Sequence, residues 1–300
     1  MRISFSCPLK CESGKQNFAV RLSREFVNLG IKVTNKKPDI NIVFVKGFKK
    51  GCKNVLRLDG IWMNTKLDYI KKNRKILNNI KKADGVVYQN LFCKKSVEKF
   101  CGKAKNSTCI LNGANPKDFL IKQKNIKPFF FAACRWRPHK RLRDIIDGFL
   151  LSDLEKTYDL IIAGVPNCII KHPSIKFLGK LSTNKTQMFT AACEGYVHLA
   201  YIDWCPNSVV EAIVAGRPVL FADSGGTGEI VKNNGIRITD KKWNFSAINH
   251  YNPPALDLNE VAVGYNDLLN IEPFKRTDLY ISNIAKKYKD FFEEVVSHSD

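Results

Sequence analysis

Short apolar runs rich in β-branched and aromatic residues alternate along the chain with longer stretches of helical periodicity. In the first half the strand-like runs are RISFSC (2–7), INIVFV (40–45), NVLRLD (54–59), GVVYQN (85–90) and STCILN (107–112). Helical patterns separate them: NFAVRLSREFVNLG (17–30), stopped by Gly30, then LDYIKKNRKILNNIKKA (67–83) and CKKSVEKFCG (93–102). The segment NGANPKDFLIKQKNIKP breaks the rhythm with Gly, Pro and charge, and predicts a linker near 120–127. The alternation then restarts. Strand runs PFFFAAC, YDLIIAG, IKFLG, YVHLAY and PVLFAD are interleaved with helical LRDIIDGFLLSD, NKTQMFTAAC and NSVVEAIVAG. Two amphipathic helices, LNEVAVGYNDLL and LYISNIAKKYKDFFEEVV, close the chain.

Alternating strands and helices predict α/β architecture, with parallel sheets covered by helices on both faces. Two such series predict two doubly wound, Rossmann-like domains, at 1–124 and 125–278, with a terminal helix at 279–300. Ligands of open α/β sheets sit at the carboxyl ends of the strands. The loops after the strands are therefore expected to line a cleft between the domains.

Three hundred residues, 44% hydrophobic and 26% charged, suit two domains of a soluble globular chain. The longest apolar runs are strand-sized, so no bilayer-spanning helix is expected. The opening MRISFSCPLKCESGK has a strand pattern rather than a secretory leader, which makes a cytosolic location the expectation. Ten cysteines show no zinc-ligand spacing: Cys7 and Cys11 are too far apart, and Cys134, Cys193 and Cys205 sit in apolar patterns as small hydrophobes. The formal charge of +21 is spread over lysines at water-facing helix positions. It fits a solvated surface, or a field that attracts phosphates, an anionic membrane or nucleic acid.

The densest chemistry lies at 196–230, YVHLAYIDWCPNSVVEAIVAGRPVLFADSGGTGEI. A strand ends just before Asp203, Asn207 is expected to cap the next helix, and Glu211 is expected in its first turn, near free N–H groups. A carboxylate there either satisfies the helix dipole or accepts hydrogen bonds from a vicinal diol such as a ribose. Gly225, Gly226 and Gly228 allow close backbone approach by a ligand. In FFFAACRWRPHKRLRDI, Arg135 and Lys140 follow a core strand and should project from the same sheet edge as Asp203. An Arg fork and a Lys point charge beside a helix start suit a diphosphate, although a basic loop in a basic chain is also ordinary.

These motifs together resemble the nucleotide-sugar domain of GT-B glycosyltransferases of the retaining family 4 type. D-W-C-P-N-S-V-V-E-A-I-V-A-G-R-P-V followed by G-G-T-G-E is similar to that family's paired acids and glycine loop, and C-R-W-R-P-H-K to its phosphate loop. The resemblance covers 128–235 and is looser in the first half, where Gly14, expected in the loop after the first strand, and ILNGANPKDF carry it. It implies a two-domain GT-B fold whose last helix packs back toward the first domain. It also implies a UDP- or GDP-sugar donor, no further cofactor, and retention of anomeric configuration. Arg135 and Lys140 would hold the diphosphate, Glu211 the ribose, and Asp203 with the backbone of Cys205, Asn207 and Ser208 the donor sugar. Gly14 would close on the phosphates, and Leu178, Gly179 and Lys180 would contact the base. The acceptor would be a glycan, glycolipid or glycoprotein, with a peripheral anionic membrane contact as one use of the basic surface.

Two departures stand out. The first acid is Asp203 where the family usually has Glu, and no His precedes His139 to serve the reacting carbon from the first domain. Asp59, at the end of NVLRLD, is the candidate for part of that role, and equally a turn-forming Asp-Gly pair. The chain contains no Asp-x-Asp, so no metal site is expected and fixed cations would neutralise the leaving diphosphate. Two other functions remain open, a nucleotide-sugar epimerase and a nucleic-acid-binding protein. The first lacks acid and base groups in the His-poor first half, and the second leaves the Asp203-to-Glu211 frame unexplained.

Overall fold

The computed structural model describes residues 1–10, 13–120 and 127–297. Most of the expected linker, Cys11 and the last three residues of the expected C-terminal helix lie outside the described residues. The chain divides into two compact units, Met1–Asn115 with Thr277–Asp300, and Pro116–Arg276.

The first unit contains β1 (Arg2–Phe5), α1 (Gly14–Asn28), β2 (Lys32–Val33), β3 (Ile40–Val43), β4 (Lys53–Leu58), α2 (Tyr69–Lys82), β5 (Gly85–Tyr88), α3 (Leu91–Cys101) and β6 (Ser107–Cys109). Its strands run parallel in the order β2-β1-β3-β4-β5-β6. Every residue of β3 and β5 is buried, as a sheet covered on both faces requires. Asp68 and Asn90 cap α2 and α3 by accepting from the backbone N–H of Lys71 (3.0 Å) and Cys93 (2.7 Å). The edge strand β2, with two residues, is too short to leave a period in the sequence.

The second unit contains β7 (Phe129–Ala133), α4 (Leu142–Leu151), β8 (Asp159–Ala163), β9 (Ile175–Gly179), α5 (Thr183–Ala192), β10 (Gly195–His198), α6 (Asn207–Val214), β11 (Val219–Ala222), α7 (Thr227–Val231), β12 (Gly235–Ile238) and α8 (Leu258–Leu268). These strands are also parallel, ordered β12-β11-β10-β7-β8-β9. Helix α9 (Ile281–Ser297) then belongs to the first unit. Its Ile281, Ile284, Ala285, Tyr288, Phe291, Phe292 and Val295 are buried at helical spacing. Tyr288 packs on Phe18 at 6.1 Å, and Phe292 on Phe26 at 5.9 Å.

The order of the second sheet fixes where a ligand would sit. The chain starts at β7 in the middle, builds outward through β8 and β9, then returns to β10 on the other side of β7. The connections after β7 and β10 therefore leave opposite ways, and a crevice opens at the carboxyl ends of these two strands. Arg135 and Lys140 follow the first of them and Asp203 the second. Behind the strands, the ring of Phe130 meets Tyr265 of α8 edge-on at 5.0 Å, and α4 packs on α8 at Gly148, where a side chain would overlap Val261.

Candidate active site

The loop after β7 is built before it is charged. Trp136, 7% exposed, donates its indole N–H to the Ala163 carbonyl at 2.9 Å, pinning the loop to the end of β8. Gly164, at φ +104°, lets the Cys134 carbonyl approach where a Cβ would overlap it. A 3-10 turn at Pro138–Lys140 follows, and Arg141 enters α4 from the left-handed region at φ 54° and ψ 45°. Burial pushes the Cys134 thiol up to about 12, so it stays neutral at this edge.

Lys140 projects from this turn to the Asp203 carboxylate, and the two side chains are 16% and 18% exposed. The same Asp203 oxygen meets His198 Nε2 at 3.1 Å, while the other accepts the Trp204 backbone N–H at 2.9 Å. Burial alone would raise the Asp203 pKa, but the Lys140 charge and the His198 bond hold it well below the usual carboxylate range. Burial lowers the pKa of His198, with the Lys140 charge acting the same way against the bond to Asp203. The cluster is thus an anionic carboxylate between an ammonium and a neutral imidazole. Arg135 is exposed and has no hydrogen-bond or ion-pair partner among the described residues.

The glycine loop answers to Asp203 rather than to open space. Ile202, a β-branched residue, is held at φ 52°, an outlying conformation for its type. Its N–H donates to Ser224 Oγ at 3.1 Å, and the Gly226 N–H donates to the Asp203 carbonyl at 2.8 Å. A Cβ at Gly225 would lie 2.5 Å from that carbonyl oxygen and 2.7 Å from the Asp203 nitrogen. Gly225 is therefore required by the backbone that aims Asp203. Gly228, whose Cβ would meet Phe221 at an ordinary 3.5 Å, is not required by contacts of this kind.

Two expectations about the following helix are corrected. Asn207 is its first residue, and the capping position belongs to Pro206, extended at φ −64° and ψ 119°, with no side-chain cap. The proline closes the turn one residue earlier than the Asn would. Glu211 consequently stands fifth in α6, beyond the first turn. Ser208 remains in that first turn. The Tyr196 hydroxyl donates to the Ala133 carbonyl at 2.7 Å, which ties β10 to the end of β7. Cys205 is buried in the turn.

At the end of β9 the register slips, with Ile162 opposite Phe177 but Ala163 opposite Gly179. Leu178 is the extra residue and is 37% exposed; Gly179, at φ +63°, accepts the Gly164 N–H at 2.7 Å through its carbonyl, and Lys180 is exposed. In the first unit, Gly14 is not in the loop after β1 but is the first residue of α1. Asp59 follows β4 at the carboxyl edge. Its Oδ1 accepts from both Arg57 and Gln89, and its side chain is 43% exposed. Arg57 is almost fully buried, its guanidinium 4.4 Å from the Phe18 ring centre and its other nitrogen on Asn112. Neither Arg57 nor His198 stands out in the sequence, because each reads as one more residue of a strand.

No protein-family description and no curated protein matches this chain by sequence. Among solved structures it is similar to sucrose-phosphate synthase from Thermosynechococcus elongatus, with TM-score 0.73, 11% identity and coverage of 99% of this chain and 100% of that one. HepE from Anabaena, solved in complex with UDP and glucose, matches with TM-score 0.67 and 15% identity over 98% of this chain and all of its own. AviGT4, a glycosyltransferase involved in avilamycin A biosynthesis, matches with TM-score 0.62 and 13% identity over 99% and 98% of the two chains. The fold is GT-B, two Rossmann-like units each built on a six-stranded parallel sheet.

Proposed function

We propose that this protein is a metal-independent, retaining glycosyltransferase of the family 4 type, which moves a sugar from a UDP- or GDP-sugar to a glycan, lipid-linked or protein-linked acceptor. The observation that carries the reading is the Lys140–Asp203–His198 cluster, with Arg135 in the loop that carries Lys140, at the carboxyl ends of the two strands that flank the switch point of a Rossmann sheet. The solved complex of HepE with UDP and glucose, on the same fold, supports a nucleotide-sugar donor.

Arg135 and Lys140 would take the diphosphate. The first has no internal partner to give up, and the second would exchange a carboxylate for phosphate oxygens. Their fixed positive charge would stabilise the negative charge that grows on the diphosphate as the sugar leaves, the task a metal performs elsewhere. Asp203, anionic at neutral pH, would accept hydrogen bonds from donor-sugar hydroxyls, with the backbone N–H groups of Cys205, Asn207 and Ser208 alongside. Glu211 would hold the ribose, Leu178, Gly179 and Lys180 the base, and Gly14 the phosphates from the first unit. Asp59, with Oδ1 fixed by Arg57 and Gln89, would take part of the role that a histidine near the reacting carbon has in the family. The departing phosphate would take the acceptor's proton, giving retention.

Among the described residues no helix is long and apolar enough to cross a membrane. Exposed Lys71, Arg74, Lys75, Lys81 and Lys82 on α2 would suit peripheral contact with an anionic surface by a cytoplasmic enzyme. The test is thermal unfolding with a panel of UDP-, GDP- and ADP-sugars, followed by NMR of the product anomer with and without EDTA. Stabilisation by one donor, a retained anomer and EDTA resistance are expected. Absence of any nucleotide-sugar effect overturns the donor, an inverted product the stereochemistry, and a strict metal requirement the fixed-cation account.

A further inference from the structure

Between β12 and α8 the chain runs through 239–257 without a helix or strand. Connections beyond about 12–15 residues of this kind are uncommon in compact domains and usually functional or disordered. This one is anchored throughout. Asp240 pairs with Arg141, whose guanidinium also donates to the Pro254 carbonyl at 2.7 Å. His250 stacks on His139 at 4.1 Å, and Trp243 meets Trp204 edge-on at 5.9 Å. The anchors fall on the two loops that carry Lys140 and Asp203, so the segment is held beside that cluster.

Inside the segment lies a cavity of about 320 Å³ whose wall includes Tyr201, Lys241, Trp243, Asn244, Asn249 and Asn252. That is the space of about ten waters at ~30 Å³ each, enough for one pyranose ring. Tyr201 is 5% exposed, and its hydroxyl, which is not fully enclosed, has no hydrogen-bond partner among the described residues. A hydroxyl that reaches a cavity without a protein partner is free to give and take hydrogen bonds with a polar occupant. The side chains of Asn252 and Lys241 likewise have no protein partner among the described residues.

The chemistry selects the occupant. Side-chain amides carry a donor and an acceptor side by side, which suits vicinal hydroxyls that both give and take hydrogen bonds. A nucleobase would need an open aromatic face, and Trp243 is 6% exposed. A diphosphate would need paired cations, and Lys242 is already engaged by Asp223, which leaves Lys241. We infer that this cavity is a saccharide subsite, which holds a sugar unit of the acceptor or product glycan beside the transfer centre. Its place in catalysis rests on the glycosyl-transfer reading, whereas its capacity to bind glycan does not.

Asn252→Ala and Tyr201→Phe test it, because neither removes a hydrogen bond within the protein. The full chain is applied, with and without UDP, to an array of α- and β-linked hexose, N-acetylhexosamine and uronic-acid oligosaccharides. The wild type is expected to bind a related set of glycans. The double variant should bind the best of them roughly tenfold more weakly, by loss of two hydrogen-bonding groups, at unchanged Tm and UDP affinity. No array binding by the wild type, or full affinity in the double variant, overturns the subsite. Array binding that the variants lose, in a protein that no nucleotide sugar stabilises, refutes the donor reading and leaves the subsite standing.

Discussion

Lys140 and Asp203, 63 positions apart in the chain, form an ion pair at the carboxyl ends of β7 and β10. The carboxylate occupies the ammonium that a diphosphate would need, and it repels the diphosphate as a like charge. Removing the charge while keeping the shape should therefore separate binding from catalysis. Asp203→Asn is expected to bind UDP more tightly and to transfer sugar more slowly, whereas Lys140→Ala should lower kcat roughly 10²-fold or more, as for a lost electrostatic donor. Calorimetry with UDP beside turnover assays reads both. Weaker UDP binding by Asp203→Asn would contradict the competition.

Gly225 makes a second test, because its lack of a side chain is used by Asp203. A methyl group at 2.5 Å from the Asp203 carbonyl oxygen must displace the strained Ile202–Asp203 backbone. Gly225→Ala should cost about 1–3 kcal/mol in urea unfolding, as overpacking does, and should lower transfer more than UDP binding. Gly228→Ala, with ordinary contacts, should leave stability nearly unchanged. Equal stability of the two variants would remove the clamp.

Much of this arrangement was legible from residue patterns, and what was not has physical causes. The runs at β7, β10 and β11 are continuous and apolar because both faces of the sheet are covered, so the loops carrying Arg135, Lys140 and Asp203 could be placed. Strand β12 was missed because it is mostly partly exposed and includes the exposed Arg237, and the five-residue α7 is too short to show a period. Asn207 matched the preferred capping residues, yet the turn at Pro206 moved the helix frame by one and Glu211 with it. Arg57 looks like an outward polar residue, but rings and an amide from distant segments take it in. The order of 239–257 likewise comes from Arg141, His139 and Trp204, none of them local to it.

Acid should weaken the second unit, and histidines should set the pH range. Burial, then the charges of His250 and Lys140, lowers the pKa of His139 from 6.5 to about 3. Burial also lowers His198 and His250. Below about 6.5 the unfolded chain takes up protons that the folded chain refuses, so stability falls as pH drops through that window toward 3. The depressed Asp203 carboxyl acts in the same direction at lower pH, since its contribution is lost only as pH falls below the unfolded carboxylate range. Each proton refused steepens the fall by about 1.4 kcal/mol per pH unit. His139→Gln should flatten the stability profile between about pH 6 and 4, measured by urea midpoints. An unchanged slope would mean that His139 is protonated in the fold.

Arg141 holds the second unit's loops together, and it does so through a carboxylate that is itself fully buried. Its guanidinium forks onto Asp240 at 2.7 and 2.9 Å, donates to the carbonyls of Leu199 and Pro254, and lies 5.1 Å from the Tyr201 ring centre. Asp240→Ala leaves that buried charge with only the longer contact of Arg141 Nε to Asp144, at 3.8 Å, which should cost ~3–5 kcal/mol. Arg141→Lys keeps the charge but not the planar fork, so it should also destabilise. If the pair acts as a unit, Arg141→Met combined with Asp240→Leu must cost less than Arg141→Met and Asp240→Leu made singly and summed, because neither partner is then stranded. Denaturant unfolding of the four proteins gives the coupling directly. Simple additivity would show that the 239–257 segment is held by its aromatic contacts and not by this ion pair.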